Sequence, residues 1–214
     1  MLIIFDCDGV LVDSELIASR ELAAYLSDLG RPTTDVECRE AFTGLSIQAV
    51  GDVVRRDWGL DLPDDFVAQL RTRDRIAFDR DLKSIPGIDA ALDTLDAMHV
   101  PYCVASSGTP EKIRHSLELT HLIARFNGHL FSATQVARGK PAPDLFLLAA
   151  KTMNASPADC LVIEDSPAGV AGAKAAGMRV LGFTGGGHCD ANYGVKLNAA
   201  DAVFADMSKL VDWL

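Results

Sequence analysis

Short apolar runs that alternate with helix-forming stretches constrain the fold of this chain most strongly. The clearest runs are residues 2–5, 100–105, 161–163 and 180–183, and shorter ones occur at 130–131 and 202–204. Helical patterns lie between them at about 87–99, 110–119, 144–153 and 168–176. A continuous apolar run indicates a strand buried on both faces, as in a parallel sheet. The alternation therefore predicts an α/β fold with a doubly wound, Rossmann-like and mostly parallel sheet.

One long segment, residues 15–84, interrupts this alternation. Leu22, Leu26 and Leu29 have helical spacing in it, and further helical patterns follow near 46–58 and 63–78. The segment contains no convincing strand pattern. We therefore expect an inserted α-helical domain at 15–84, within a core formed by residues 1–14 and 85–214.

The charge balance of the chain excludes one class of partner. Among 214 residues, 20 are Lys or Arg and 30 are Asp or Glu, which gives a formal net charge of −10. Nucleic acids and anionic membranes are bound through basic faces, so we expect neither as a partner.

The cysteines and the N-terminal residues bear on the compartment. The five cysteines are widely spaced without a C-x-x-C pair, which favours free thiols in a reducing environment. The apolar start at residues 1–5 is too short for a signal peptide, and no run reaches the ~18 residues of a membrane helix. We expect a cytoplasmic protein.

Polar side chains stand where three of the predicted strands end. They are Asp6 and Asp8, Ser106 and Ser107, and Glu164 and Asp165. Ligands of open α/β sheets bind beyond the carboxyl ends of the strands, so we expect these groups to converge. Several carboxylates this close cannot all remain ionised without a cation, and oxygen ligands of this kind suit Mg²⁺. The pattern predicts a magnesium site.

Four segments in order resemble the motifs of the haloacid dehalogenase (HAD) superfamily of phosphohydrolases. They are Asp-Cys-Asp-Gly-Val-Leu-Val-Asp-Ser-Glu at 6–15, Ser106, Gly-Lys-Pro-Ala-Pro-Asp at 139–144 and Val-Ile-Glu-Asp-Ser at 162–166. The insertion resembles the α-helical cap of subclass I. Within that subclass, residues 5–9, 11–15, 19–20 and 149–154 are similar to the bacterial 6-phosphogluconate phosphatases.

The resemblance implies a role for each of these residues. Asp6 is the nucleophile that forms an aspartyl-phosphate, and Asp8 is the general acid and base. Ser106 and Lys140 hold the transferring phosphoryl oxygens, and Ser107 is a further substrate-binding candidate.

The same resemblance implies a ligand set for Mg²⁺. The ligands are a carboxylate oxygen of Asp6, the backbone carbonyl of Asp8 and Asp165, with Glu164 as a direct ligand or as the partner of one. Without the metal, the three carboxylates against the single ammonium group of Lys140 would repel a phosphate dianion.

Candidate specificity residues lie in the insertion. Gly44, Leu45 and Ser46 resemble the cap loop that faces the active site in this subclass. Arg73, in a cluster with Arg71 and Arg75, is a candidate for binding a second anionic group such as a sugar-acid carboxylate. The alternative is that these arginines pair with Asp74, Asp79 or Asp81 on a solvated helix. The loop at 185–188 either borders the cleft or is a plain connection.

These features predict a Mg²⁺-dependent phosphatase, a monomer or small homo-oligomer, that acts on a small phosphomonoester. A sugar or sugar-acid phosphate such as 6-phosphogluconate is expected, and a β-phosphoglucomutase-like phosphosugar mutase and a phosphoglycolate phosphatase remain alternatives. A dehalogenase would not need Asp8. A phosphonatase would need a lysine from the cap, and the only lysine of the insertion is Lys83, at its C-terminal end. The mutases usually have a histidine where this chain has Ala18.

Overall fold

The structure is a computed structural model that describes residues 1–42, 45 and 47–214. Its centre is a six-stranded, wholly parallel sheet with strand order β3-β2-β1-β4-β5-β6. The strands are β1 (Leu2–Phe5), β2 (Tyr102–Ser106), β3 (Leu130–Ser132), β4 (Cys160–Glu164), β5 (Arg179–Phe183) and β6 (Ala202–Phe204). This topology confirms the predicted doubly wound α/β class.

The strand order fixes where a ligand can bind. The chain builds the sheet outward from β1 through β2 to β3, and then crosses to β4 on the other side of β1. Such a switch point leaves a crevice beyond the carboxyl ends of the two central strands. Phe5 is paired with Ile163 across β1 and β4, so the residues that follow both strands emerge side by side.

Strand β2 begins two residues later than predicted. Pro101 has no N–H group to donate to a neighbouring strand, and regular pairing starts at Tyr102. The carbonyl of Pro101 still accepts a hydrogen bond of 3.0 Å from the N–H of Ile3.

In the core, α5 (Ile88–Ala97) precedes β2, and α6 (Pro110–Leu119), α7 (Asp144–Thr152) and α8 (Pro167–Ala175) follow β2, β3 and β4. Thr109 caps α6 by accepting from the N–H of Lys112, and Ser166 caps α8 by accepting from the N–H of Gly169. Both caps satisfy N–H groups that a helix leaves without an internal partner. They place the first turns of α6 and α8 at the edge where β2 and β4 end.

The core of the sheet is packed from strand and helix residues together. Its buried members include Leu2, Ile4, Cys103, Val162 and Val180 from the strands, with Phe146, Ala149, Val170 and Ala173 from α7 and α8. Burial of each large apolar side chain contributes about 1.5–3 kcal/mol, so this cluster gives the strand ends a rigid base.

The chain divides into two compact units, one formed by Met1–Asp13 with Lys83–Leu214 and the other by Ser14–Leu82. The second unit contains α1 (Glu15–Asp28), α2 (Asp35–Phe42), α3 (Ile47–Asp57) and α4 (Phe66–Asp81). Its own core includes Leu22, Leu26, Val50, Val54, Phe66 and Leu70. Its role as a cap stays a prediction.

Helix α2 was not expected from the sequence. It is short, half of its residues are charged and only Cys38 and Phe42 are buried in it, so its apolar periodicity is too brief to detect. Within the described part of the chain, no helix combines the length and the apolar character needed to cross a membrane.

Candidate active site

Pairing of β1 with β4 brings three carboxylates together at the switch point. The N–H of Asp6 donates to the carbonyl of Ile163 over 3.0 Å, which sets Asp6 beside Glu164 and Asp165. One carboxylate oxygen from each of these three buried residues lies within 4.8 Å of the other two. The predicted convergence of Asp6, Glu164 and Asp165 is present in the structure.

A tight turn after β1 follows Asp6 and contains Asp8. The carbonyl of Cys7 accepts from the N–H groups of Leu11 and Val12 at 2.9 and 3.1 Å, and Gly9 has a positive φ of 74°. A Cβ atom on Gly9 would lie 1.8 Å from Oδ2 of Asp165. Only glycine fits here, because the backbone passes directly against that carboxylate.

Lys140 neutralises part of the negative charge. Its Nζ donates to Oδ1 of Asp6 at 2.6 Å and to the carbonyl of Ala105 at 2.9 Å, and it lies 2.6 Å from Oε1 of Glu164. Burial by itself would lower the pKa of Lys140, but the Asp6 and Glu164 carboxylates raise it above its ordinary value. Lys140 therefore carries a positive charge, and its side chain is only 5% exposed.

Glu164 is held under the first turn of α8. Its Oε2 accepts from the backbone N–H and the hydroxyl of Ser166 at 3.1 and 3.0 Å, while Oε1 faces Lys140. A Cβ atom on Gly169 would lie 1.9 Å from the Glu164 carboxylate, so α8 packs against it closely. Each oxygen of Glu164 therefore contacts a protein donor.

The remaining negative charge makes this cluster a candidate cation site. Burial raises the pKa of Asp6 well above its ordinary value, Lys140 opposes that shift, and the Glu164 and Asp165 charges add to it. Burial also raises the pKa of Asp165, as does the charge of Glu164. The donors are hard carboxylate oxygens without a sulfur or imidazole ligand among them, which fits a divalent cation such as Mg²⁺.

Asp8 has a partner that the sequence did not indicate. Lys112, in the first turn of α6, donates from Nζ to Oδ2 of Asp8 over 2.8 Å. The order of the elements limits the candidates, because α6 follows β2 and begins at the same edge of the sheet as Asp8. Nothing in the spacing alone, however, relates two residues 104 positions apart.

Ser106, the last residue of β2, and Ser107, which follows it, differ in their surroundings. Ser106 is buried, and its Oγ accepts from the N–H of Gly108 at 3.0 Å, which leaves its hydroxyl hydrogen available for a phosphoryl oxygen. Ser107 is exposed. Ser132, at the end of β3, donates to the carbonyl of Gly108 over 2.6 Å and thereby supports the same loop.

The glycine-rich loop after β5, which the sequence left undecided, reaches the cluster. Nε2 of the buried His188 lies 3.2 Å from Oδ2 of Asp165. The N–H of Gly187 donates to Oδ1 of Asp13 over 2.9 Å. His188 and Asp13 are thus neighbours of the site, and sequence reasoning assigned a site role to neither.

The specificity candidates of the helical unit are described only in part. Gly44 and Ser46 lie outside the described residues, and Leu45 is exposed. Arg73 donates from Nη2 to Oδ2 of Asp28 at 2.7 Å. The central carbon of its guanidinium group lies 4.4 Å from the ring centroid of Tyr25. Its acidic partner is therefore a residue of α1 and not one of the expected neighbours on α4. Substrate contact by Arg73 stays a prediction.

Comparison with known proteins agrees with these features. The chain is 34% identical to the 6-phosphogluconate phosphatase of Escherichia coli (strain K12) over 87% of this chain and 83% of that protein. A conserved haloacid dehalogenase-like protein of unknown function from Agrobacterium tumefaciens superposes with a TM-score of 0.90 at 35% identity, over 99% of this chain and 96% of that one.

A second solved structure is a HAD family hydrolase of Deinococcus radiodurans R1 with bound phosphate and sodium. It superposes with a TM-score of 0.81 at 30% identity, over 98% of this chain and 92% of that one. The haloacid dehalogenase-like hydrolase family profile matches residues 1–177. Since that match spans most of the chain, the protein belongs to the haloacid dehalogenase-like hydrolase family.

Proposed function

We propose that this protein is a Mg²⁺-dependent phosphatase of a small sugar or sugar-acid phosphate such as 6-phosphogluconate. Hydrolysis of phosphoric monoesters follows from membership in the family and from its phosphatase relative. The substrate, the metal and the roles of the residues are our proposal. The observation that carries it is the contact of 2.6 Å between Lys140 and Asp6, beside Asp165 at the switch point of the sheet.

Asp6 is the proposed nucleophile. One of its carboxylate oxygens attacks phosphorus, the bond from phosphorus to the ester oxygen breaks, and the alcohol leaves with a proton. Water then attacks phosphorus in the aspartyl-phosphate, which releases inorganic phosphate and restores the Asp6 carboxylate. Two displacements of this kind divide one difficult hydrolysis into two easier steps.

Asp8 is the proposed source of the proton. It gives a proton to the leaving alkoxide and takes one from the hydrolytic water. Lys112, whose Nζ lies 2.8 Å from Oδ2 of Asp8, is the proposed group that orients the Asp8 carboxylate between the two proton transfers. Lys140 and the Ser106 hydroxyl are the proposed donors to the phosphoryl oxygens, with Ser107 as a further candidate.

The residues that would hold Mg²⁺ are Asp6, Asp165 and the backbone carbonyl of Asp8. When bound, Mg²⁺ supplies positive charge that offsets the charge of the carboxylates and of the transferring phosphoryl group. Glu164, with both oxygens engaged by Lys140 and Ser166, fits best as the residue that fixes Lys140.

The substrate class rests on similarity to a 6-phosphogluconate phosphatase over most of both chains. The test is a panel of phosphate esters assayed by phosphate release. Its central comparison is between 6-phosphogluconate, which carries a carboxylate at C1, and glucose 6-phosphate, which does not.

We expect kcat/KM to be about tenfold or more higher for 6-phosphogluconate, which corresponds to about 1.4 kcal/mol of transition-state stabilisation. A tenfold preference for phosphoglycolate or for a neutral hexose phosphate would overturn the substrate assignment. Conversion of β-glucose 1-phosphate with little phosphate released would identify a mutase instead. Asp6→Asn protein serves as the blank for contaminating phosphatase.

A further inference from the structure

His188 is a buried, polar side chain that the proposed mechanism does not use. It follows three consecutive glycines at 185–187, in the loop after β5. The residue is 6% exposed, and its Nε2 lies 3.2 Å from Oδ2 of Asp165. An imidazole N–H at Nε2 can donate to the carboxylate, which when ionised can only accept hydrogen bonds. Sγ of Cys189 also lies 3.3 Å from Nε2 and can accept from the same N–H.

The imidazole ring is held in a narrow slot. Tyr193 contacts it edge to face, with ring centroids 5.0 Å apart and an interplanar angle of 89°. A Cβ atom on Gly9 would lie 2.9 Å from Cε1 of His188, and one on Gly186 would lie 2.9 Å from both Cε1 and Nδ1. Two glycines therefore make room for the ring, and little freedom remains for it to rotate.

The backbone around His188 is anchored to the loop after β1. Besides its hydrogen bond with Oδ1 of Asp13, Gly187 packs so closely that a Cβ atom would lie 2.7 Å from Oδ2 of Asp13. Thr184, at the start of the loop, donates from its N–H to the carbonyl of Phe204 over 2.9 Å. The loop is thus fixed at its start and directly before the histidine.

We propose that His188 is a positioning residue for the metal site, and this inference rests on the proposed function. Its Nε2–H donates to Oδ2 of Asp165 and fixes the orientation of that carboxylate toward Asp6. Residues that orient a metal ligand in this way typically contribute about 10–100-fold to metal affinity. Gly186 and Gly187 let the loop approach Gly9 and Asp13 closely enough to place the ring against Asp165.

The test measures Mg²⁺ binding to the protein without substrate, by calorimetry. In His188→Leu the donor is lost at similar volume, and in His188→Asn the amide ends short of Asp165. In His188→Gln the side-chain amide carries an N–H donor close to the position of Nε2. We expect Kd for Mg²⁺ to rise about 10–100-fold in the Leu and Asn variants and to stay within about threefold of wild type in the Gln variant.

Activity against Mg²⁺ concentration gives a second readout. If His188 orients a metal ligand, the Leu and Asn variants recover most of their kcat when Mg²⁺ is raised to saturation. Wild-type affinity in the Asn variant, or a Gln variant as weak as the Leu variant, would overturn the inference. Asp165→Asn is the control for the site itself, because wild-type Mg²⁺ affinity in that variant would refute the proposed metal site rather than the role of His188.

Discussion

The ammonium group of Lys112 lies 2.8 Å from Oδ2 of Asp8, which ties the first turn of α6 to the loop after β1. The Lys112 side chain is 40% exposed and that of Asp8 is 16% exposed. A pair this accessible contributes little to stability, on the order of 0–1 kcal/mol. In the proposed mechanism the pair matters for catalysis, because it sets where the Asp8 carboxylate rests between turnovers.

Replacing Lys112 should therefore change activity while leaving the free energy of unfolding nearly unchanged. We expect Lys112→Ala to lower kcat by about tenfold or more, a part of the ~10²–10⁴-fold that general acid–base catalysis contributes, because Asp8 loses the contact that orients it. Lys112→Arg should retain more activity. The matched control is Lys174→Ala, which breaks a similarly exposed pair of 2.6 Å with Asp201 away from the site. Equal kcat in the two alanine variants would contradict the role given to Lys112.

Gly9 and Gly177 form a matched pair for testing the turn after β1. Their φ angles are 74° and 73°, but a Cβ atom would meet Asp165 at Gly9 and nothing within 4 Å at Gly177. Both alanine variants should lose about 1–2 kcal/mol of stability from the left-handed backbone. Only Gly9→Ala should also lose phosphatase activity and Mg²⁺ binding, as measured by phosphate release and calorimetry. Comparable activity in both variants would argue against the close approach to Asp165.

The cluster of carboxylates should reduce stability when no metal is bound. In the folded protein the pKa of Asp165 lies well above its ordinary value of 3.8, since burial and the Glu164 charge disfavour ionisation. The folded state then holds more protons than the unfolded state, so stability falls as pH rises from 3.8 through the raised pKa. Asp165→Asn removes the contribution of Asp165, while that of Asp6 remains.

We expect metal-free Asp165→Asn protein to melt above wild type at neutral pH, by about 2–4 °C for each kcal/mol recovered. Added Mg²⁺ should raise the melting temperature of wild type but not of the variant. Scanning fluorimetry with and without Mg²⁺ makes the comparison. A variant that melts below wild type in metal-free buffer would show that Asp165 stabilises the fold, contrary to this account.

Removal of the metal should abolish turnover. Without a divalent cation, the three carboxylates outweigh the single charge of Lys140, and a phosphate dianion is repelled. We expect no activity above the Asp6→Asn blank in excess EDTA, and full recovery on addition of Mg²⁺. Complete turnover in EDTA would be incompatible with the proposed site.

The strands and their ends were predictable because their signals are local. An apolar run followed by Asp6 or by Glu164 and Asp165 carries both the strand and its polar end within a few residues. The parallel sheet then brings such strand ends to one edge, independently of the conformation of the loops. The same reasoning missed the late start of β2 by two residues, since Pro101 looks apolar but cannot donate to a neighbouring strand.

The partners that orient these residues were not predictable from spacing. Lys112 contacts Asp8, and His188 contacts Asp165. Both contacts depend on the conformation of loops that the packing of the whole core determines. Arg73 was expected to bind substrate or to pair along its own helix, yet it pairs with Asp28 of α1. In each case the contact depends on how separate elements pack, which single-sequence periodicity does not record.

The central claim is that Asp6 becomes phosphorylated during turnover. A borohydride quench tests it directly, because hydride reduces an acyl phosphate to an alcohol and would convert Asp6 into homoserine. Peptide mass spectrometry of protein quenched during turnover of 6-phosphogluconate locates the change. We predict reduction at Asp6 alone, dependent on both substrate and Mg²⁺. Reduction at another carboxylate, or an unmodified Asp6 in protein quenched at full turnover, would contradict the account.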